Sequence, residues 1–421
     1  MPTLTPTLMP TATRLGADRD RVETGPPTRP DASSPQARPG ARTLSALLDR
    51  CQAFAPEYAG GLSTHLPMAL QALHGLGAPP ARLHALFDTI ASRLPLRLGA
   101  AGQPPCQARP PPRDGLQASP PQPPPTPALA NPDDWPALRG RIEAFEALRQ
   151  ALACIAARDG LAATLTAALP LLMPGVAAVA LHGLIRSAHA VAAGHADELI
   201  SGLAYWAARH APLVVPAAAA PPPATRSLAA WLAGLQALPM PAGVASNRIH
   251  QRMQAHAGVA GFAAVAGALA LDEHTLDALA RHAAGLYAAS GNFTVLHLVT
   301  GCQAMRVLLP WLAGGPGALR PFCIAAAAAL RASGLRQIEM APLSTPSIPN
   351  LAAVPLPWAE TVRRAIASDD EHVIKLVQAC RCHHAATGAA VFQAAASRAV
   401  QDSPPAPRST TPPTAPAPTP P

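Results

Sequence analysis

The 421-residue sequence has little charge and few aromatic side chains. Charged residues make up 13% of the chain, about half of the usual share, and aromatic residues only 4%. The composition excludes a highly charged disordered chain, and the scarcity of aromatic and β-branched residues argues against a sheet protein. Because alanine and leucine dominate what remains, the composition predicts an all-α fold.

Lysine is nearly absent, since Lys375 is the one lysine among 32 lysines and arginines. This bias, together with the abundance of alanine, proline and glycine, is typical of high-GC codon drift, which replaces lysine wherever any surface cation suffices. A lysine that survives can be one whose amine is required, because a buried lysine can lose its proton near neutral pH and an arginine cannot. Survival by chance at a neutral position is the alternative.

The seven cysteines include no CxxC pair, which is typical of reduced thiols in a cytoplasmic protein. The CRCHH segment at 380–384 has no second pair to complete a zinc site. The net charge is +8, but the arginines are scattered and not interleaved with aromatic residues, so we expect no nucleic-acid partner. The longest uncharged run, 161–181, contains two prolines, and we therefore expect a buried core helix after a broken turn rather than a membrane span.

Proline-rich tracts divide the chain at three places. Such tracts cannot form helices or bury a core, so we predict disordered tails at 1–43 and 402–421 and an exposed insertion at about 101–134. Between them, apolar residues recur at spacings of three and four. The pattern predicts a single large helical-bundle domain over 44–401.

Several common catalytic motifs are missing from the sequence. It has no P-loop, no GxGxxG that opens a helix, no GxSxG and no HExxH, so a tightly bound dinucleotide has no sequence support. The sharpest local feature is the segment DDEHVIK at 369–375. His372 and Lys375 are three residues apart and share one face of a helix, and the acidic residues before them suit the N-terminus of that helix as caps.

Lys375 has two possible chemical roles. A neutral amine can bind a metal, and it can also add carbon dioxide to form a carbamate, which is an anionic oxygen donor. Burial and nearby cations lower the pKa of an amine and so favour that reaction.

Several histidines lie in helical segments that we expect to be buried. His182, Arg186 and His189 share one face of an alanine-rich helix, where each needs a partner such as a metal or an anionic substrate. A structural histidine is the alternative, most of all for His189. His65 stands at a helix start and His297 lies among apolar residues. Four helices that each offer one inward histidine, together with one lysine, are an arrangement from which bundles build metal sites.

Four blocks of the sequence, HLPMAL, HGLIR, LHLVT and DEHVIK, resemble the questin oxidase-like family in order and spacing. The resemblance spans roughly 44–395. It implies an oxidoreductase that acts on an aromatic polyketide or (hydro)quinone by ring-opening oxygen insertion, with dioxygen and with NADPH as a candidate reductant. It also implies a mononuclear non-haem iron held by histidines and a carboxylated lysine.

Carried over block by block, the implied iron ligands are His65, His182, His297, Lys375 and one of His372 and His189. Arg186 stands where fungal members often have a second histidine. We expect its forked guanidinium to contact a phenolate or quinone oxygen of the substrate, as a catalytic residue.

Imidazoles and a carbamate oxygen suit Fe(II), which can pass an electron to dioxygen where zinc cannot. The leading hypothesis is therefore a dioxygen-dependent oxidoreductase with an Fe(II) cofactor and a small aromatic substrate. A second hypothesis is a non-catalytic or degenerate helical binding protein whose histidines are core residues. A third is a zinc-dependent hydrolase.

Overall fold

A computed structural model describes five ranges of the chain: 39–97, 129–216, 225–244, 246–335 and 354–402. These ranges contain sixteen α-helices and one two-stranded hairpin, which confirms the all-α prediction. The predicted disordered tails and proline-rich insertion lie largely outside the described residues. The described residues overlap these predicted segments at two places. The first helix begins at Pro39, inside the predicted N-terminal tail, and a 3-10 helix occupies Pro132–Leu138, so that it begins inside the predicted insertion.

The helices follow one another with short connections within each described range. In chain order they are α1 (Pro39–Cys51), α2 (Leu66–Gly75), α3 (Pro80–Ala91), α4 (Phe145–Asp159), α5 (Leu161–Leu172), α6 (His182–Ala193), α7 (Ala196–Ala208), α8 (Leu228–Gln236), α9 (Ile249–Ala257), α10 (Phe262–Ala266), α11 (Thr275–Ser290), α12 (Phe293–Leu308), α13 (Arg320–Ala332), α14 (Trp358–Ala367), α15 (Glu371–Thr387) and α16 (Val391–Asp402). Between α1 and α2, strands β1 (Glu57–Tyr58) and β2 (Leu62–Ser63) pair antiparallel.

Four helices form a closed ring in the middle of the domain. Helix α2 packs on α6, α6 on α12, α12 on α15, and α15 packs back on α2. Each contributes a fully buried leucine to the core: Leu70, Leu184, Leu298 and Leu376. Helices α7, α11 and α16 pack against the outside of this ring. Because these four helices pack on one another, the residues at their ends can come into contact.

Side-chain caps fix where two of the ring helices begin. The Asp370 carboxylate accepts hydrogen bonds from the backbone N–H groups of His372 and Val373 at the start of α15, as the sequence predicts. Asn292 caps α12 in the same way. Asp369 is not a cap but forms an ion pair of 2.7 Å with Arg82.

The start of α6 is strained. Val179, Ala180 and Leu181 all have positive φ, at 43°, 56° and 69°. The left-handed region costs an L-residue about 1–2 kcal/mol, and a β-branched side chain suits it least. Leu181 fits against α12 because Gly301 has no side chain, since a Cβ there would lie 2.6 Å from Leu181 Cδ1. The broken turn predicted within the apolar run 161–181 is therefore a left-handed turn that ends at His182.

One helical stretch of the described residues, Phe293–Trp311, has the length and hydropathy of a membrane span. It consists of α12 and the 3-10 turn that follows. In the domain, 67% of its apolar window is buried. Since α12 is a member of the central ring, packing inside the domain accounts for its apolar character.

Candidate functional site

The N-terminal ends of the four ring helices meet at one place. His65 directly precedes α2, His182 is the first residue of α6, His372 is the second residue of α15, and His297 lies one turn into α12. Because these side chains touch one another, the N-terminal ends of the four helices, which carry the positive ends of the helix dipoles, lie around a common volume. This arrangement favours anions and neutral imidazoles there.

The four imidazoles form a single cluster. His65 and His182 are stacked, with ring centroids 4.7 Å apart, and their Nε2 atoms are 2.7 Å apart. His372 stands edge-on to His65 with a centroid separation of 4.6 Å. His297 closes the cluster, at 5.0 Å from His182 and 5.5 Å from His372. The structure thus brings together one histidine from each of the four sequence blocks.

Backbone carbonyls fix the tautomers of two of these rings. His182 Nδ1 donates to the carbonyl of Val179, and His297 Nδ1 donates to that of Phe293 at 2.8 Å. The Nε2 atom of each ring is therefore unprotonated, as a metal ligand requires. The short contact between the Nε2 atoms of His65 and His182 would be satisfied by a proton on His65 or by a cation bound to both.

All four imidazoles are held neutral. Burial is the main cause, and it lowers the pKa of His182 to about 3, of His65 and His297 well below the usual 6.5, and of His372 in the same direction. The charge of Lys375 and the neighbouring imidazoles lower these pKa values further. Neutral imidazole is the form that binds metal ions.

Lys375 is 2% exposed, and its charge lowers the pKa of His65, His182 and His297, so it lies close to the cluster. Burial lowers the pKa of the amine from 10.5 to about 8, against the opposing effect of the carboxylate of Glu371. Among the hydrogen bonds and ion pairs of the described residues, none involves this amine. Lys375 is therefore a buried amine whose pKa lies much nearer to neutral pH than that of an exposed lysine.

Sequence reasoning did not single out Glu371 as a member of this cluster. Its Oε1 lies 3.4 Å from His65 Nδ1, and burial raises the pKa of its carboxyl. Neither His65 Nδ1 nor Glu371 Oε2 has a well-aligned hydrogen-bond partner among the described residues. The available signal was the spacing of four between Glu371 and Lys375, which places both on one face of α15.

Phe293 packs against two rings of the cluster and is itself partly exposed. Its ring lies 4.8 Å from those of both His297 and His372, measured between centroids, while the residue remains 51% exposed. The side chain therefore stands between two of the imidazoles and solvent.

His189, which was the alternative to His372, and Arg186 both have partners other than the four imidazoles. His189 Nδ1 forms a hydrogen bond of 2.5 Å with Gln71 Oε1, so His372 is the fourth imidazole of the cluster. Arg186 donates from Nε and Nη2 to the two carboxylate oxygens of Glu198, at 2.6 and 3.0 Å, and both side chains are buried. The guanidinium that was expected to contact a substrate oxygen is therefore bonded to Glu198. In the structure, Arg186 links α6 to α7 by this ion pair.

A cavity of about 360 Å³ lies beside the turn that holds His182. Its wall includes two backbone turns, at Gly60–Gly61 and Ala178–Val179, and two arginines, Arg209 and Arg248. The Val179 peptide is thus shared between the cavity wall and the hydrogen bond that orients His182.

The model of the questin oxidase-like family matches residues 62–380, which is more than half of the chain. The protein belongs to the questin oxidase-like family. The match confirms the resemblance carried by the four sequence blocks, and it includes every residue of the imidazole cluster together with Lys375. Comparison with curated proteins gave no match. Family membership supports an oxidoreductase that acts on a small molecule of the aromatic polyketide type.

In this questin oxidase-like protein the cluster provides candidate donors rather than a formed metal site. No three His, Cys, Asp or Glu side chains of the described ranges are arranged around a common point as in an occupied centre. The donor chemistry nevertheless fits a metal, because His182 and His297 have unprotonated Nε2 atoms and His65 Nε2 lies 2.7 Å from that of His182. The metal and the carboxylation of Lys375 remain predictions.

Proposed function

We propose that this protein is a dioxygen-dependent oxidoreductase that uses a mononuclear non-haem Fe(II) to open a ring of an aromatic polyketide or hydroquinone. The main support is that residues from four distant sequence blocks converge in one cluster: His65, His182, His297, His372 and Lys375. Burying four imidazoles and an amine costs free energy unless their polar atoms are satisfied. A bound cation would satisfy several of them at once.

The donor set suits Fe(II) in its chemistry. Neutral imidazole is a ligand of choice for iron, and a carbamate on Lys375 would add an anionic oxygen donor. The positive ends of four helices would stabilise that anion. When bound, iron supplies one-electron transfer to dioxygen, which zinc cannot supply.

The residues around the donors orient them and exclude water. The carbonyls of Val179 and Phe293 hold the rings of His182 and His297, and the caps of α12 and α15 fix the helix starts from which these rings project. Glu371 faces His65 Nδ1 and can accept its proton. The Phe293 ring limits the access of water to His297 and His372.

The overall reaction balances when the substrate is a hydroquinone. One oxygen atom is inserted between a ring carbonyl carbon and its neighbour, so that two C–O bonds form and one C–C bond breaks, and water then opens the resulting lactone. The second oxygen atom leaves as water with two electrons and two protons from the hydroquinone. An oxidised quinone would need these electrons and protons from an external donor such as NADPH. The sequence contains no dinucleotide-binding motif for such a donor. We therefore propose the reduced substrate.

Metal analysis combined with dioxygen uptake tests this function. Protein purified under air, and protein loaded anaerobically with Fe(II), should contain stoichiometric iron and should consume dioxygen when an anthrahydroquinone is added. His297→Ala and Lys375→Ala should lose both properties, because each removes a donor. His189→Gln is the matched control, since His189 is a half-buried histidine that bonds Gln71 instead.

Each other outcome points to one of the remaining hypotheses. Zinc in place of iron, with activity that does not need dioxygen, would support a hydrolase. No metal after loading with Fe(II) would mean that the histidines are a buried polar core, as in a non-catalytic binding protein. Iron retained in Lys375→Ala would exclude the lysine from the donor set.

A further inference from the structure

The cavity beside the cluster is bounded by two left-handed turns. One is the tip of the β1–β2 hairpin, with Gly60 and Gly61 in the wall, and the other precedes α6, with Ala178 and Val179 in the wall. Its volume of about 360 Å³ lies within the range of small-molecule sites, roughly 300–1,000 Å³. A flat tricyclic aromatic molecule is of this size class.

Backbone strain in the described part of the chain is concentrated at these two turns. Its non-glycine residues with positive φ are Ala59, Val179, Ala180 and Leu181. Strained conformations persist only where the surrounding structure enforces them, and they cluster at ligand sites. Here the strain has an identifiable result, because it directs the Gly60 and Gly61 carbonyls to Arg248 and the Val179 carbonyl to His182.

The cavity also carries an uncompensated positive charge. Arg209 in its wall is paired with the carboxylate of Glu57. Arg248 donates only to carbonyls, to Gly61 at 3.1 Å and to Gly60 at 2.6 Å, and no described carboxylate lies within ion-pair distance of it. His250 stands beside it in the wall and offers a ring nitrogen. A guanidinium that keeps its charge in a concave site attracts an oxygen anion.

We infer that this cavity binds the aromatic substrate by its phenol or phenolate oxygen, with Arg248 and His250 as the contacts that select it. The Val179 turn would then form both the floor under the bound ring system and the support of His182. The inference rests on the proposed function for the type of substrate, and it adds the residues that recognise it. The electrostatic influence of His250 on His182 agrees with the short separation between cavity and cluster.

Equilibrium binding of two related probes tests the inference. A dihydroxyanthraquinone and its dimethyl ether are titrated into the full-length protein without dioxygen, with tryptophan fluorescence as the signal. The wild type should prefer the free phenol. Arg248→Ala should weaken binding of the phenol by about tenfold to a hundredfold, the usual effect of losing a charge-assisted hydrogen bond, and should change binding of the ether little.

Two further variants control for folding and for the cavity itself. Arg320 is the matched control, because it also donates to two backbone carbonyls, those of Gly267 and Leu269, and lies outside the cavity wall. Arg320→Ala should therefore bind both probes like the wild type. Ala211 is an exposed wall residue, so Ala211→Trp should obstruct the cavity and weaken both probes without removing a hydrogen bond.

The outcomes separate this inference from the proposed function. If folded Arg248→Ala and Ala211→Trp both bind the phenol like the wild type, the cavity is not the binding site. Equal losses in Arg248→Ala and Arg320→Ala would mean that only general stability was changed. If His297→Ala binds the phenol normally while no metal-loaded preparation consumes dioxygen, the cavity inference holds and the proposed function fails.

Discussion

The left-handed turn before α6 predicts that replacing one of its buried alanines by glycine increases the stability of the fold, whereas this substitution usually decreases it. Ala180 and Ala190 are both buried, at 6% and 1% exposure, and stand at opposite ends of the same segment. Ala180 has φ of 56°, whereas Ala190 lies within the regular part of α6. The same substitution, alanine to glycine, should therefore change stability in opposite directions at the two positions.

The magnitudes follow from backbone energetics. Glycine at position 180 removes a left-handed strain of about 1–2 kcal/mol and costs about 0.5–1 kcal/mol in the entropy of the unfolded chain, so Ala180→Gly should stabilise the protein by up to about 1.5 kcal/mol. Ala190→Gly gains nothing from strain and should destabilise it by about 1 kcal/mol.

Urea denaturation of the two variants beside the wild type measures the difference. We expect a higher midpoint for Ala180→Gly and a lower one for Ala190→Gly. If the two variants lose the same stability, the turn is not strained and its special role in holding His182 has no energetic basis. A gain in stability accompanied by weaker metal binding would show that the strain serves to place His182, as in other functional sites.

Three further predictions concern single side chains. Lys375→Arg should keep the positive charge but lose bound iron in metal analysis, because a guanidinium can neither become neutral nor form a carbamate; iron at the wild-type level would contradict a role for the amine. Arg186→Met should destabilise the protein by about 3–5 kcal/mol in urea titrations, since it leaves Glu198 as a buried unpaired charge, and the double variant Arg186→Met/Glu198→Leu should recover most of this loss. The pKa of His189 falls from 6.5 to about 3 on folding because of burial, so the unfolded chain binds its proton first and stability falls as pH drops from 6.5 towards 3. His189→Gln should remove that part of the pH dependence in unfolding curves recorded at pH 7 and pH 5, and an unchanged slope would mean that the histidine is protonated in the fold.

Sequence pattern was sufficient for the fold class and for most of the cluster, for a physical reason. Helical periodicity and caps such as Asp370 are local properties, and a polar residue on an otherwise apolar helix face stands out without any tertiary information. His65, His182 and His297 were identifiable in this way. The ring packing of α2, α6, α12 and α15, which makes them meet, is a tertiary property.

The features that were left open or missed depend on contacts that spacing does not reveal. The sequence left the fourth histidine open between His372 and His189, because it does not show that His189 bonds Gln71 on α2. Arg186 was expected to contact the substrate. Its partner in the structure is Glu198, which lies on the next helix and could not be identified from spacing. The strained turn leaves no trace in the sequence, since Val179 to Leu181 contain no glycine to mark a left-handed backbone.

The electrostatics of the cluster explain why a lysine would serve better here than a further glutamate. The amine can lose its proton within the fold more easily than an exposed lysine can, because burial lowers its pKa from 10.5 to about 8. A second permanent carboxylate beside Glu371 would have to be buried before any cation is present, and like charges that are buried together repel. A carbamate on Lys375 would instead create the negative charge after folding, where four helix ends favour it and where a divalent cation would need it. The folded protein without a cation then does not have to carry this second negative charge, which gives the single lysine of this chain a physical reason to persist.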